Sequence, residues 1–359
     1  MNVQFLGMVQ PKRQSEILPP DTNLVLDKDY IRTLARAHEQ AGFDRLLIGY
    51  YPTAPDGFQL AAYIATQTER LGLLLAHQPG FIAPTLAARA LATLDQLSEG
   101  RLAVHIISGG DDASQRRDGD TLTKDERYAR TDEYIGLLRQ LWSGHGNLTH
   151  RGNFYNFENA STDVRPFQRN GIPIFFGGAS ASALETAGRH ADVYALWGEP
   201  YAQTQDILQQ VKVAAKGRRI RFNLSFRPIL GDTEAQAWEK AAEILALTKA
   251  VGGQAWIGPN KGHPANEGSR RLLQAAAQGD RLDKCLWTGL AAATGARGNT
   301  TALVGTPEQV ADAVLDYWKL GVTSFLFRGF DPLPDTLDYG SRLLPLIREK
   351  IGAVERVAV

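Results

Sequence analysis

The chain has 359 residues, with 39 Lys and Arg against 39 Asp and Glu, and 43% of it is hydrophobic. Zero formal net charge leaves no basic footprint for nucleic acid or an anionic membrane surface, and no apolar run approaches the roughly 18 residues of a membrane span. The single cysteine, Cys285, excludes an intramolecular disulfide and a cysteine-based metal site; with an opening stretch that lacks the order of a signal peptide, it predicts a reducing, cytoplasmic setting.

Short apolar runs then alternate with amphipathic ones. Residues 3–8 predict a first strand, and residues 28–40 a helix that Gly42 ends. Strands follow at 44–49 and 71–78, with a helix over 58–72 between them, and the helix over 84–101 carries Pro84 in its first turn. "LAVHIIS" (102–108) is a fourth strand and 124–142 a long helix. Residues 172–178, 192–198, 220–230 and 322–330 complete the strands, with helices over 180–191, 201–216, 233–250 and 306–321. Strands this uniformly apolar are buried on both faces, as in parallel sheets. Eight such units predict a (β/α)8 TIM barrel as one domain over 1–359, with a doubly wound sheet as the alternative.

Two segments break the repeat. Residues 143–170 read as a loop with a short hairpin, and glycine-rich residues 250–302 as an insertion before the last unit, of the kind that forms a mobile lid.

In a barrel, chemistry gathers where strands end. "FFGGAS" offers glycines for close backbone approach and free N–H groups at a helix start, an anion cradle; it reads equally as a serine-capped turn. Arg127 and Tyr128 in "DERYART" could reach a phosphate, although a capped, solvated first turn is the plainer reading. His77 and His105 are lone histidines, more often structural than catalytic. Asp111 and Asp112 in "SGGDD" are adjacent loop residues and do not make a metal site; no metal is expected. No P-loop, Rossmann fingerprint or nucleophile elbow is present. Arg13, Arg227, Arg297 and Arg328 at strand ends and in the insertion would suit an anionic substrate.

The segments "HQPGFIAPTLAARALATLDQLSEGRLAVHIISG", "ERY", "PIFFGGAS", "LWGEP" and "TALVGTPEQVAD" resemble the bacterial-luciferase-like flavin-dependent monooxygenases, and among them the alkanesulfonate monooxygenase group, over roughly residues 2–350. The resemblance implies a TIM barrel that uses reduced FMN (FMNH2), supplied by a separate NAD(P)H-dependent flavin reductase, and O2. In the sulfonate branch a flavin peroxide leads to C–S cleavage, giving sulfite and an aldehyde. By position, Arg127, Tyr128, Gly178, Ala179 and Ser180 would meet the flavin phosphate, and Tyr50, His77, His105 and Ser108 the ring system. Arg297, Arg227, Arg328 and Trp197 would serve the substrate and its chemistry, with Arg297 and Arg227 foremost. A cis peptide is expected at Ala76–His77, and a homodimer or homotetramer as the assembly.

The chain departs from the pattern where the substrate would lie. Ala54 stands for a cysteine, Ser225 and Arg227 for an arginine and a histidine, Phe330 for a tyrosine, and Ser114 for a glutamate. An anionic substrate of different shape, such as a larger organosulfonate, is compatible. So are a non-sulfonate substrate, use of the deazaflavin F420, or flavin carriage without turnover.

Overall fold

The computed structural model describes residues 3–18, 23–144, 146–256, 266–296 and 298–357, with side chains of 251–256 left aside. Thirteen strands form among them: β1 (Gln4–Met8), β2 (Arg45–Ile48), β3 (Gly72–His77), β4 (Leu102–Ile106), β5 (Leu148–Arg151), β6 (Asn156–Ala160), β7 (Ile174–Gly177), β8 (Val193–Trp197), β9 (Arg221–Leu230), β10 (Arg281–Leu282), β11 (Leu286–Trp287), β12 (Ala302–Gly305) and β13 (Ser324–Phe327). The helices are α1 (Lys28–Gln40), α2 (Gly57–Gln67), α3 (Pro84–Leu97), α4 (Asp112–Arg117), α5 (Lys124–Ser143), α6 (Ala181–His190), α7 (Tyr201–Ala214), α8 (Glu234–Trp256), α9 (Glu267–Ala276), α10 (Gly289–Thr294), α11 (Pro307–Lys319), α12 (Pro332–Asp338) and α13 (Leu344–Val357), with one π turn over Tyr339–Leu343.

The hydrogen-bonded order β9-β13-β1-β2-β3-β4-β7-β8, with β8 also pairing β9, is the cyclic order of a (β/α)8 barrel. All eight expected strands are present. No described helix is long and apolar enough to cross a membrane.

The chain divides into two compact units. One contains Met1–Leu46, Ala195–Gln209 and Arg221–Val359. Its parallel register aligns Gln4 with Ser324 and Leu6 with Leu326, then Ser324 with Asn223 and Leu326 with Ser225. Side chains alternate across a strand, so Asn223, Ser225 and Arg227 share one polar face of β9. Phe226 lies on the other, its ring 4.9 Å from that of Tyr317 on α11.

The other unit contains Leu47–Tyr194 and Gln210–Ile220. Here Ala76 aligns with His105, and His105 with Phe175. Leu73, Leu75 and His77 take the opposite face, where Leu75 lies under Gly57 of α2. The hairpin expected within 143–170 is β5–β6, antiparallel with a bulge. The Glu133 carboxylate of α5 anchors it, accepting from the backbone N–H of Phe154 and Tyr155 at 3.1 and 3.0 Å.

Two expectations change. No described peptide bond is cis; β3 runs regularly through Ala76–His77, and the His77 carbonyl accepts from Ile107 at 3.0 Å. Asp112 is not a loop residue, whereas Asp111 is the last residue before a helix. Asp111 caps α4, its carboxylate accepting from Ser114 N–H at 3.0 Å, and Asp112 opens that helix. The described part of 250–302 is largely ordered into the end of α8, then α9, β10, β11, α10 and β12, and β12 pairs in parallel with the second half of β9.

Candidate active site

A glycine at the end of β7 starts the first cluster. Gly178 has φ +124°, and an added Cβ would lie 2.9 Å from Ala183 Cβ and 3.0 Å from Tyr128 Oη. Only a residue without a side chain leaves this backbone open. The Gly178 carbonyl is fixed by Tyr194 O–H at 2.6 Å. Ser180 caps α6, its hydroxyl accepting from Ala183 N–H at 3.3 Å. Tyr128 reaches the same hydroxyl, and burial raises its phenol pKa, so it stays a neutral donor. Ala179 lies between them, half-buried.

Arg127 is 2% exposed. It donates to the Leu122 carbonyl and the Asp112 carboxylate, both at 2.6 Å, and its Nε has no partner. The Ser180 hydroxyl, the Tyr128 hydroxyl and the N-terminus of α6 lie together, donors of the kind that suit an oxyanion.

Four further predicted residues lie in this unit, without sharing one surface. His105 stands half-buried on the Ala76–Phe175 face, and burial pushes its pKa to about 4. His77 lies on the opposite face, its Nε2 2.7 Å from Tyr134 Oη of α5 and its ring edge-on to Phe58 of α2. Ser108 donates to Thr131 Oγ1 at 3.0 Å, tying the end of β4 to α5. Tyr50 donates to Asp118 and stacks on Phe81 at 6.2 Å.

Buried His77 and His38 have a consequence for acid stability. Burial depresses both pKa values from 6.5 to about 4. The unfolded chain takes up these protons near pH 6.5 and the folded chain does not, so stability is full above that pH and falls as pH drops toward 4. At pH 5 each costs roughly 2 kcal/mol. The urea midpoint is therefore expected to be clearly lower at pH 5 than at pH 7.5, and the drop to be smaller in His77→Gln. Equal midpoints would refute the assignment.

The first unit holds the second cluster. Arg227, on the polar face of β9, is 3% exposed. Its Nη2 donates to Glu16 Oε2 at 2.7 Å and to the Gly329 carbonyl at 3.0 Å, and its guanidinium lies 3.6 Å over the Phe330 ring. Desolvation lowers its pKa, opposed by Glu16. Arg328, just past β13, pairs with the other oxygen of Glu16. Glu16 itself was not predicted. It sits in an irregular stretch after β1, 312 residues from Arg328, and no sequence period marks it. Ser225 accepts from Asn299 Nδ2 at 2.6 Å.

Trp197, at the end of β8, packs on Leu272, Ala291 and Ala296. Beyond it, Glu199 receives a two-pronged bond from Arg271 of α9, Nε at 2.8 Å and Nη2 at 2.6 Å. Arg297 lies outside the described residues. Among the described residues no group of three metal-ligating side chains comes together.

A family model described as luciferase-like monooxygenase matches residues 4–324. Among solved structures, a riboflavin lyase (RcaE), with modified FMN and riboflavin, is similar at 21% identity and TM-score 0.81, over 98% of this chain and 92% of that one. DmoA from Hyphomicrobium sulfonivorans is similar at 22% identity and TM-score 0.79, over 97% and 88%. The EDTA monooxygenase EmoA from Chelativorans sp. BNC1 is similar at 20% identity and TM-score 0.76, over 98% and 94%. Likeness at these identities carries the fold.

Proposed function

Since the chain belongs to the luciferase-like monooxygenases, a family of flavin-dependent oxidoreductases, we propose that it uses FMNH2 and O2 to cleave the C–S bond of an organosulfonate, releasing sulfite and a carbonyl product. The observation that carries the substrate class is the pair of arginines, Arg227 within β9 and Arg328 just past β13, converging on the one carboxylate of Glu16. Two guanidiniums held rigidly at low exposure are a recognition element for an oxyanion.

The flavin phosphate fits the first cluster: Ser180, Tyr128, Arg127 Nε and the N–H groups beside Gly178 and Ala179 would hold it, in space that a Cβ at Gly178 would fill. Reduced flavin, when bound, supplies activated oxygen from O2. The chain's own part is binding, orientation and exclusion of water. Neutral His105 is available as a hydrogen-bond partner for the ring. Arg227 favours negative charge as it develops on the sulfonate oxygens. Arg297, within the 250–302 insertion, would add to this when that segment closes. A separate flavin reductase would supply FMNH2 to a homo-oligomer.

The test supplies FMN, NADH, a flavin reductase and a panel of sulfonates, and measures sulfite. Release with at least one member is expected. In parallel, Ser180→Ala with Tyr128→Phe should weaken FMN binding about tenfold or more, as two hydrogen bonds to a charged group are lost. Absence of sulfite with every member would turn the assignment toward a non-sulfonate substrate. Unchanged FMN affinity would remove the phosphate assignment.

A further inference from the structure

A cavity of about 330 Å³ opens in the unit that holds the first cluster, a volume within the range of small-molecule sites. Phe81, Asp118, Asp120, Arg130, Phe154 and Tyr155 are among the residues that line it. They come from three places in the chain. Phe81 stands between β3 and α3, the two aspartates between α4 and α5, and Phe154 and Tyr155 between β5 and β6, while Arg130 lies on α5. Phe81 and Phe154 are half-buried and give the space an aromatic wall.

Arg130 is 9% exposed. Its Nη2 donates to the Asp120 carboxylate and, at 2.9 Å, to the Pro79 carbonyl. Gly80, at φ +109°, makes room for it, since an added Cβ would lie 2.3 Å from Arg130 Cζ. The charge of this guanidinium is thus met within the chain, yet its buried Nε has no partner among the described residues. The buried Tyr155 hydroxyl has none either. Burial pushes that phenol up to about 12, so it keeps its proton and remains a donor. Buried donors without acceptors are uncommon in a folded chain, and the two residues that carry these line one open space. We infer that the cavity is a further ligand site, for a neutral aromatic ring that carries a carbonyl. The ring packs on Phe81 and Phe154, and the carbonyl oxygen accepts from Tyr155 O–H and Arg130 Nε–H. A carboxylate is disfavoured, because it would share with Asp120 a guanidinium already paired. The inference does not depend on the proposed reaction.

The probes are benzamide, benzoate and cyclohexanecarboxamide, titrated by calorimetry into the full chain. Benzamide should bind about fivefold more tightly than cyclohexanecarboxamide, which lacks the aromatic face, and about tenfold or more than benzoate. Tyr155→Phe should weaken benzamide about fivefold, the loss of one hydrogen bond. That hydroxyl has no partner in the chain, so the variant should keep a urea midpoint at or above that of wild type, and its weaker binding is then no folding defect. Saturating FMN should leave the benzamide affinity unchanged. Failure of benzamide to bind, equal affinity for the three probes, or full affinity in Tyr155→Phe overturns the inference. So does a lowered urea midpoint in that variant, which would mean that the hydroxyl is satisfied within the chain. Competition by FMN overturns it as well and gives the space to the flavin. Sulfite release is scored separately and bears on the proposed reaction alone.

Discussion

Arg227→Ala is expected to lower kcat/KM for sulfite release by about 10²–10³-fold, the loss associated with a preorganised donor facing developing negative charge. The substitution removes a guanidinium with fixed partners: Glu16 at 2.7 Å, the Gly329 carbonyl at 3.0 Å and the Phe330 ring at 3.6 Å. Arg227→Lys is not expected to rescue it, because an ammonium cannot reproduce the planar fork or its stacking on Phe330. FMN affinity should be nearly unchanged, since the phosphate is assigned to Ser180, Tyr128 and Arg127 and not to Arg227. Fluorescence titration of flavin beside steady-state kinetics separates the two. Full activity in Arg227→Ala would remove Arg227 from the chemistry.

The second large effect concerns stability. Arg271→Ala is expected to cost about 3–5 kcal/mol, because it leaves a buried carboxylate without its cation. The Glu199 side chain is 6% exposed and that of Arg271 16%. The Glu199 backbone carbonyl is engaged too, by Tyr317 O–H at 2.7 Å and Thr204 Oγ1 at 3.1 Å, which fixes the main chain from which the carboxylate is presented. Replacing both partners, as Arg271→Met with Glu199→Leu, should recover most of the loss, since a well-packed apolar pair avoids desolvating two charges. Urea denaturation of the two variants decides it. If the single substitution is silent, the pair does not hold α9.

These two arginines also show what was legible in the sequence and what was not. The barrel was legible because each of its eight strands is a short apolar run followed by an amphipathic one, and local periodicity reports that directly. Arg227 and Arg328 could be found as cations at strand ends. Glu16 could not: it occupies an aperiodic stretch, and its value comes from partners brought to it by the register of β1, β13 and β9. Arg271 was similarly hidden inside an apparent insertion. His77 and His105 looked alike in sequence. The pairing of Ala76 with His105 puts them on opposite faces, and strands apolar on both faces give no alternation from which to read that. The cluster around Gly178 was legible as glycines before a serine-capped helix, while the engagement of Arg127 with Asp112 was not, because α4 is only six residues long. Arg297 lies outside the described residues and stays an expectation.

Strand β9 has ten residues, and it changes neighbours halfway: Asn223–Phe226 pair with β13, and Arg227–Leu230 with β12. The return leg of the 250–302 segment is thus stitched in beside Arg227, with Arg227 N–H on the Thr301 carbonyl at 3.2 Å and Thr301 Oγ1 on the Gly198 carbonyl at 2.8 Å. For divergence among relatives this is a firewall. Whatever varies in the loops of that segment, the backbone at Arg227 is held from its own side, by the parallel pairing of β12 with β9. Loop length in the segment and the placement of Arg227 can therefore diverge independently.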